Sequence, residues 1–211
     1  MFDALVKVGG SLYHQAELPT ICAAWAKLAQ AHRLLFLPGG GPFADQVRAA
    51  DTRFQLSSSA AHWMAILAMD QYAYLLADLI PQAALVRDLA EAKAACAAGQ
   101  LAVLAPATLL LRSDPLPHSW RITSDSIAAW LAQHAEIGLL ALLKSVAGVY
   151  ESGRLLRQVS RQMLANHELV DSYFVQILSP ATQCWLIDGG HPERLAELLG
   201  SGSTLGTQVM A

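Results

Sequence analysis

Val6-Lys7-Val8-Gly9-Gly10-Ser11 sets an apolar run directly against a double glycine near the start of the chain. Pro38-Gly39-Gly40-Gly41-Pro42 uses the same device a second time. In each case a strand-like run, Ala4 to Val8 and then Arg33 to Leu37, feeds a glycine turn, and a helical pattern follows. Open α/β sheets hold phosphate and other anions at such turns, because backbone N–H groups and a helix N-terminus meet there at the carboxyl ends of strands. Lys7, inside the first strand, supplies a fixed positive charge beside the first turn.

Outward from these turns the same alternation continues. Leu18, Ile21, Ala24, Trp25 and Leu28 recur at helical spacing after the first turn, and Phe43 to Ala50 follows the second, with Pro42 tolerated where a helix N–H has no partner. Repeated strand, turn and helix predict a parallel sheet with flanking helices. Ser57, Ser58 and Ser59 offer N-caps for a helix to about Leu79, ended by Pro81. That helix is apolar nearly all round, which predicts burial or a subunit interface, and its His62 and Asp70 need either structural partners or a substrate.

Ala83 to Val86, Leu101 to Leu104 and Thr108 to Leu111 read as short strands, with a helix over Leu89 to Ala98. Ser126 to His134 reads as a helix capped by Thr123 or Ser124. Asp125 falls in its first turn, where local sequence alone reads it as an ordinary capping acid. Ile137 to Leu143 is a continuous apolar run of the kind buried in parallel sheets, and it ends at Lys144-Ser145. Arg154, Arg157 and Arg161 follow, either as a solvated face or as a loop that closes on phosphate. Gln183 to Ile187 is a further strand ending in Asp188-Gly189-Gly190, then a helix over Glu193 to Leu199 and a last strand over Leu205 to Met210.

Composition removes several function classes. The chain has 211 residues, enough for one substantial α/β domain, and 14 basic against 17 acidic side chains leave no footprint for nucleic acid. It is 54% hydrophobic and 15% charged, yet the longest uncharged stretch, Ala94 to Leu111, is divided by Gly99, Gln100 and Pro106, so no membrane partner is expected. Lys7 interrupts the first apolar run, which argues against a signal peptide. Cys22, Cys96 and Cys184 are widely spaced in apolar sequence, as reduced core thiols of a cytoplasmic protein would be. Only four lysines occur, Lys7, Lys27, Lys93 and Lys144, so a lysine needed for chemistry comes from a short list.

At these residues the chain resembles the amino acid kinase superfamily, the group that includes acetylglutamate kinase, aspartokinase, uridylate kinase and isopentenyl phosphate kinase. The resemblance rests on Lys7 to Ser11, Gly39 to Pro42, Thr123 to Ala128, Leu143 to Tyr150, Asp188-Gly189 and Gly206-Thr207, in family order along almost the whole chain. His62 to Ala65, Trp120 to Ala128 and Val170-Asp171 look most like the small kinases of methanofuran biosynthesis, which phosphorylate an aminomethylfuran-methyl phosphate to its diphosphate. It implies a three-layer αβα sandwich around a mainly parallel sheet, the carbamate kinase-like fold. It further implies one domain over 1–211, with an acceptor-side lobe of about residues 1–135 and a nucleotide-side lobe of about 136–211.

The resemblance also implies roles. Lys7 and Asp125 are the catalytic pair, the first stabilising the transferring phosphoryl group and the second organising lysine or magnesium. Gly9, Gly10, Ser11, Lys144, Ser145, Gly148 and Tyr150 face the nucleotide; Gly39, Gly40, Gly41, Pro42 and Ser124 face the acceptor. ATP and Mg2+ are the implied cofactors, with no direct protein ligand for the metal, a small phosphoryl acceptor as partner and a homodimer or higher homo-oligomer as assembly. Two departures stand out: no lysine follows Lys144, and Ala147 occupies the position where many relatives carry Asp. Lys144, one of Arg154, Arg157 and Arg161, or no residue then takes the second phosphate-binding role, and a non-catalytic ligand-binding relative is the alternative. A dinucleotide-binding reading of Gly39 to Ala44 is the other rival, but no acid lies about twenty residues beyond it to hold a ribose.

Overall fold

The computed structural model describes residues 1–210. The chain runs β1 (Ala4–Val8), α1 (Leu18–Leu28), β2 (Leu34–Pro38), α2 (Gly41–Phe54), α3 (Ser58–Leu79), β3 (Ala84–Val86), α4 (Leu89–Ala97), β4 (Ala102–Leu104), α5 (Ala107–Ser113) and α6 (Ser124–His134). It continues through β5 (Leu139–Lys144), β6 (Tyr150–Glu151), β7 (Arg154–Leu155), β8 (Gln158–Ser160), α7 (Arg161–Ala165), α8 (Phe174–Ile177), β9 (Gln183–Asp188), α9 (Pro192–Ser201) and β10 (Gly206–Met210). A short 3-10 turn over Gly10–His14 separates β1 from α1.

Eight strands form one sheet in the order β3-β4-β2-β1-β5-β9-β10-β8. All neighbours are parallel except β9 and β10. β1, the strand before the first glycine turn, lies between β2 and β5, so both glycine turns and the end of β5 meet at one carboxyl edge.

Strand alternation divides the core into two layers. Leu5, Leu35, Leu37, Leu140, Leu142 and Leu186 face α6, whose Ile127 and Leu131 are buried against them. Val6, Val8, Phe36, Leu143, Trp185 and Ile187 face the opposite way, where α1 and α9 supply Ile21, Trp25, Leu195 and Leu198. Trp25 meets Phe36 edge-on at 5.4 Å, and fully burying each side chain of this size contributes about 1.5–3 kcal/mol. Helix α3 crosses the two layers, with Ile66 and Met69 in the first and Tyr72 and Leu76 in the second. Its N-cap is Ser57, which accepts the Ala60 N–H at 3.2 Å. Among the described residues no helix is long and apolar enough to cross a membrane. The three cysteines are free and buried.

One expected strand is a helix. Thr108 to Leu111 lies inside α5, because Pro106 opens a helical turn and the Asp70 carboxylate, from α3, accepts the otherwise orphaned Ala107 N–H at 3.0 Å. This also gives Asp70 a structural partner. The arginine segment is another departure. Arg157 donates to the Thr204 carbonyl at 2.5 Å and Arg161 to the Leu178 carbonyl at 2.7 Å, so both guanidinium groups are tied into the fold. Between them and β5, the β6–β7 hairpin turns through Ser152 (φ 50°) and Gly153 (φ 79°), the left-handed pair that a two-residue hairpin requires.

The position of α6 rests on one side chain. The Asp171 carboxylate accepts from the Thr123 N–H and hydroxyl at 3.0 and 2.7 Å, from the Ser126 N–H at 3.2 Å and hydroxyl, and from the Tyr173 and Phe174 N–H groups at 3.0 Å. It therefore anchors the first turn of α6 from outside the helix. Asp171→Asn points an amide N–H2 at donors, and we expect a loss on the order of 2–4 kcal/mol in urea unfolding. A change smaller than about 0.5 kcal/mol, the scale of an ordinary surface substitution, would remove this anchoring role.

Candidate active site

Because side chains alternate along a strand, Lys7 shares the face of Leu5, and Lys144 shares that of Leu140 and Leu142. Lys7 pairs in register with Leu142, so Lys144 lies one same-face position further along β5 and the two lysines are diagonal neighbours near the carboxyl ends of β1 and β5. The first turn of α6 brings Asp125 over both. Lys144 Nζ donates to Asp125 Oδ2 at 2.7 Å, and Lys7 Nζ lies 2.9 Å from Oδ1. The Lys7 contact is a close, buried ion pair. All three side chains are nearly inaccessible, at 5%, 14% and 7% for Lys7, Lys144 and Asp125.

Two cations share one carboxylate here, and the Asp171 carboxylate at the start of α6 acts on Lys7 as a second anion. Burial pushes the Lys7 ammonium down to about 8, opposed by the attraction of Asp125 and reinforced by repulsion from Lys144. For Asp125, burial acts to raise the carboxyl, but Lys7 and Lys144 overcome it and hold the group at about 2. Asp125 is thus a permanent carboxylate that fixes two lysines. The sequence placed it correctly in a helical first turn, but only the fold supplies its partners.

The glycine turns sit against this cluster and against each other. Gly9 donates to the Leu143 carbonyl at 2.9 Å and Gly39 to the Val8 carbonyl at 2.8 Å, which seats each turn on the neighbouring strand. A Cβ at Gly10 would fall 2.7 Å from the backbone Cα and N of Gly41, and one at Gly39 would fall 3.0 Å from Ser124 Oγ. Gly41 has φ 52°. Pro42 follows in the first turn of α2. Among the described residues, the N–H groups of Gly10, Ser11, Gly40 and Gly41 have no hydrogen-bond acceptor in the chain. The third glycine turn differs: Gly189 donates to the Lys144 carbonyl at 2.8 Å and Gly190 to Asp188 Oδ1 at 2.9 Å, so its donors are spent internally.

Two clefts open from this edge. One is lined by Gly10, Ser11, His14, Gly39, Gly41 and Asp45. The other, of about 260 Å³, runs between α2 and α3 past Asp51, His62, Ile66, Met69, Trp120 and Ile127. Gly40, Ala44, Arg48 and Ser124 line both, so the clefts meet at the second glycine turn. Of the other residues expected at the nucleotide, Ser145 follows the end of β5, Tyr150 is half-exposed on β6, and Gly148 is pressed onto β10. A Cβ on Gly148 would lie 2.2 Å from Thr207 Oγ1.

The second cleft brings His62 and Trp120 together with Arg48, Asp51, Asp114 and His118, which sequence reasoning did not single out. Trp120 Nε1 donates to Asp51 Oδ2 at 2.6 Å, and the Arg48 guanidinium lies 5.1 Å from the centre of the Trp120 ring. His62 stacks on His118 with ring centres 4.3 Å apart, and His118 bonds Ser59 and Asp114 through its two ring nitrogens at 3.0 and 2.8 Å. Ligand atoms of His62, Asp114 and His118 lie within 4.8 Å of one another, the one such grouping among the described residues. Spacing of Ala44, Arg48 and Asp51 at i, i+4 and i+7 on α2 was the available signal for a shared helix face.

The amino acid kinase family model matches residues 4–183. The chain belongs to that family. Among curated proteins it is similar to the (5-(aminomethyl)furan-3-yl)methyl phosphate kinase of Methanocaldococcus jannaschii, 28% identical over 215 residues, which cover 98% of this chain and 97% of that one. Among solved structures, uridylate kinase from Archaeoglobus fulgidus shares the fold with a TM-score of 0.76 at 21% identity, over 99% of this chain and 100% of that one. Isopentenyl phosphate kinase from T. acidophilum does so with a TM-score of 0.63 at 18% identity, over 98% and 99%. The expected three-layer αβα architecture is therefore the architecture of this family member.

Gly10→Ala should drive the two glycine turns apart, because its methyl meets backbone that cannot rotate away. We expect a stability loss of about 1–3 kcal/mol in thermal unfolding together with weakened nucleotide binding. Gly138→Ala, where an added Cβ meets nothing within 4 Å, is the matched control and should be close to neutral.

Proposed function

We propose that this chain is an ATP-dependent kinase that transfers the γ-phosphoryl group to a small anionic acceptor, a phosphate monoester. One observation carries the reading: Lys7 and Lys144 share the Asp125 carboxylate beside two glycine turns with unspent backbone N–H groups. Such a place attracts a polyanion through charge and directed donors together. The free donors of Gly10 and Ser11 fit nucleotide phosphates, and those of Gly40 and Gly41, with Ser124, fit the acceptor. Mg2+ fits as a cation bound to the nucleotide phosphates, since both Asp125 oxygens face lysines.

In this reading Lys7 stabilises charge on the phosphoryl group in flight and Lys144 takes the second phosphate-binding role, with Asp125 holding both at a constant separation. ATP supplies the phosphoryl group: its γ-phosphorus gains a bond to an acceptor oxygen and loses the bond to the leaving ADP oxygen. The state of Asp125 bears on the acceptor. A carboxylate held at about 2 and locked between two cations is a poor general base, as an alcohol acceptor would require, whereas a phosphate monoester presents an oxygen already ionised. The acceptor named for the Methanocaldococcus jannaschii relative is of that kind, and methanofuran-type cofactor synthesis is the process we assign. The acceptor side comprises about residues 1–135 and the nucleotide side about 136–211. Met64, Leu67 and Tyr74, exposed apolar side chains of α3, support a homodimer through that helix, and the free thiols are compatible with the cytoplasmic setting we assign.

Lys7→Ala should lower kcat by about a hundredfold or more with Mg-ATP and a phosphate monoester acceptor, read as ADP release. An unchanged rate defeats the assignment. ATP binding by calorimetry with no turnover of any phosphate monoester would instead favour the non-catalytic relative, which Ala147 and the lack of a lysine after Lys144 also suggest.

The same cluster sets a pH dependence. Lys7 must be cationic to hold phosphate, and its folded value of about 8 lies below the usual lysine range. The kcat/KM for ATP should therefore fall as pH rises through about 8, while kcat, measured with phosphates bound beside Lys7, should persist to higher pH. A profile of kcat/KM that is level to pH about 10 would show that Lys7 keeps an ordinary lysine value.

A further inference from the structure

The cleft between α2 and α3 has a charge order that a phosphate site alone does not explain. At its inner end, shared with the glycine turns, stand Arg48 and the Ser124 hydroxyl. Its middle is apolar, with Ala65, Ile66, Met69 and Ile127. At its outer end the Asp51 carboxylate accepts from Trp120 Nε1 and, through its other oxygen, from the Leu56 N–H at 3.1 Å. Among the described residues Asp51 has no cationic partner: Arg48, one helical turn away, pairs with Asp45 at 2.9 Å. Burial and the neighbouring His118 lower His62, which favours its neutral form. Asp51 is thus the carboxylate of this cleft that has no ion-pair partner among the described residues.

We propose that Asp51 is a specificity-determining residue that binds a primary ammonium group on the acceptor, selecting a small ring that carries a phosphate on one side and an amine on the other. The inference rests on the kinase reading for the location of the acceptor phosphate. Ala44 and Asp51 are seven residues apart on α2, about 10 Å along the helix axis, which accommodates one ring between two substituents. A half-buried carboxylate held by two donors retains lone pairs for a third, and its ion pair with an ammonium is stronger there than in open water. Trp120 and His62 form flat walls beside it. The amine-bearing furan phosphate of the Methanocaldococcus jannaschii relative satisfies all three requirements; a prenyl phosphate would leave Asp51 facing hydrocarbon.

The test compares (5-(aminomethyl)furan-3-yl)methyl phosphate with its amine-free counterpart, in which methyl replaces aminomethyl. Calorimetry on the wild type should give about tenfold or more tighter binding of the amine-bearing compound, and Asp51→Asn should abolish that preference. With turnover, the same variant should raise KM for the amine-bearing acceptor and leave kcat close to wild type. Damage to the cleft through Trp120 would weaken both compounds alike, so the ratio isolates the amine. Equal binding of the two compounds by the wild type, or a preference that survives in Asp51→Asn, overturns the proposal. Phosphoryl transfer without discrimination would leave the kinase reading standing and Asp51 unassigned. Discrimination without transfer would do the reverse.

Discussion

Two lysines sharing one carboxylate inside a sheet edge is the arrangement on which the rest of this structure depends. Transferring ions from water into a protein interior is expensive unless they are paired there. Lys7 and Lys144 reach Asp125 only because β1 and β5 are parallel neighbours and because α6 begins directly above them. Each lysine is held against the same carboxylate, so the position of one side chain of α6 fixes two side chains of the sheet.

Holding Asp125 in place requires its own support. The helix that carries it is fixed at its first turn by Asp171, which satisfies donors on α6 and on the segment leading to α8 with a single carboxylate. A second acid thus positions the first, and the two lie in the same helical start without competing for the same partners. Asp70 does similar service for α5. In each case a side chain distant in sequence replaces the acceptors that a helix N-terminus lacks.

These supports mark where the sequence was legible and where it was not. The long, strongly periodic pieces were readable: the runs ending at Val8, Leu37 and Leu143 are strands, and Ser57 caps a helix that ends by Pro81. Lys7, Lys144 and the first two glycine turns also stood out in the sequence, and the fold brings them to one carboxyl edge of the sheet. What failed was decided by tertiary partners. Thr108 to Leu111 has strand composition but starts a helix because Asp70 arrives from α3. Asp125 looked like a plain cap until two strands delivered lysines to it. Arg157 and Arg161 looked free until the carbonyls of Thr204 and Leu178 claimed them. Asp51 and Trp120 lie 69 residues apart, so their pairing could not be read from either local stretch.

The contact between Gly10 and Gly41 is backbone against backbone, with no side chain available to absorb a change. The first and second glycine turns are therefore locked at a spacing that substitution can break but cannot tune. The walls of the outer cleft, by contrast, are side chains of α2, α3 and the segment around Trp120, each replaceable on its own. The molecule is divided into a rigid reaction gauge and an adjustable socket, and a change of acceptor would be accommodated in the socket alone.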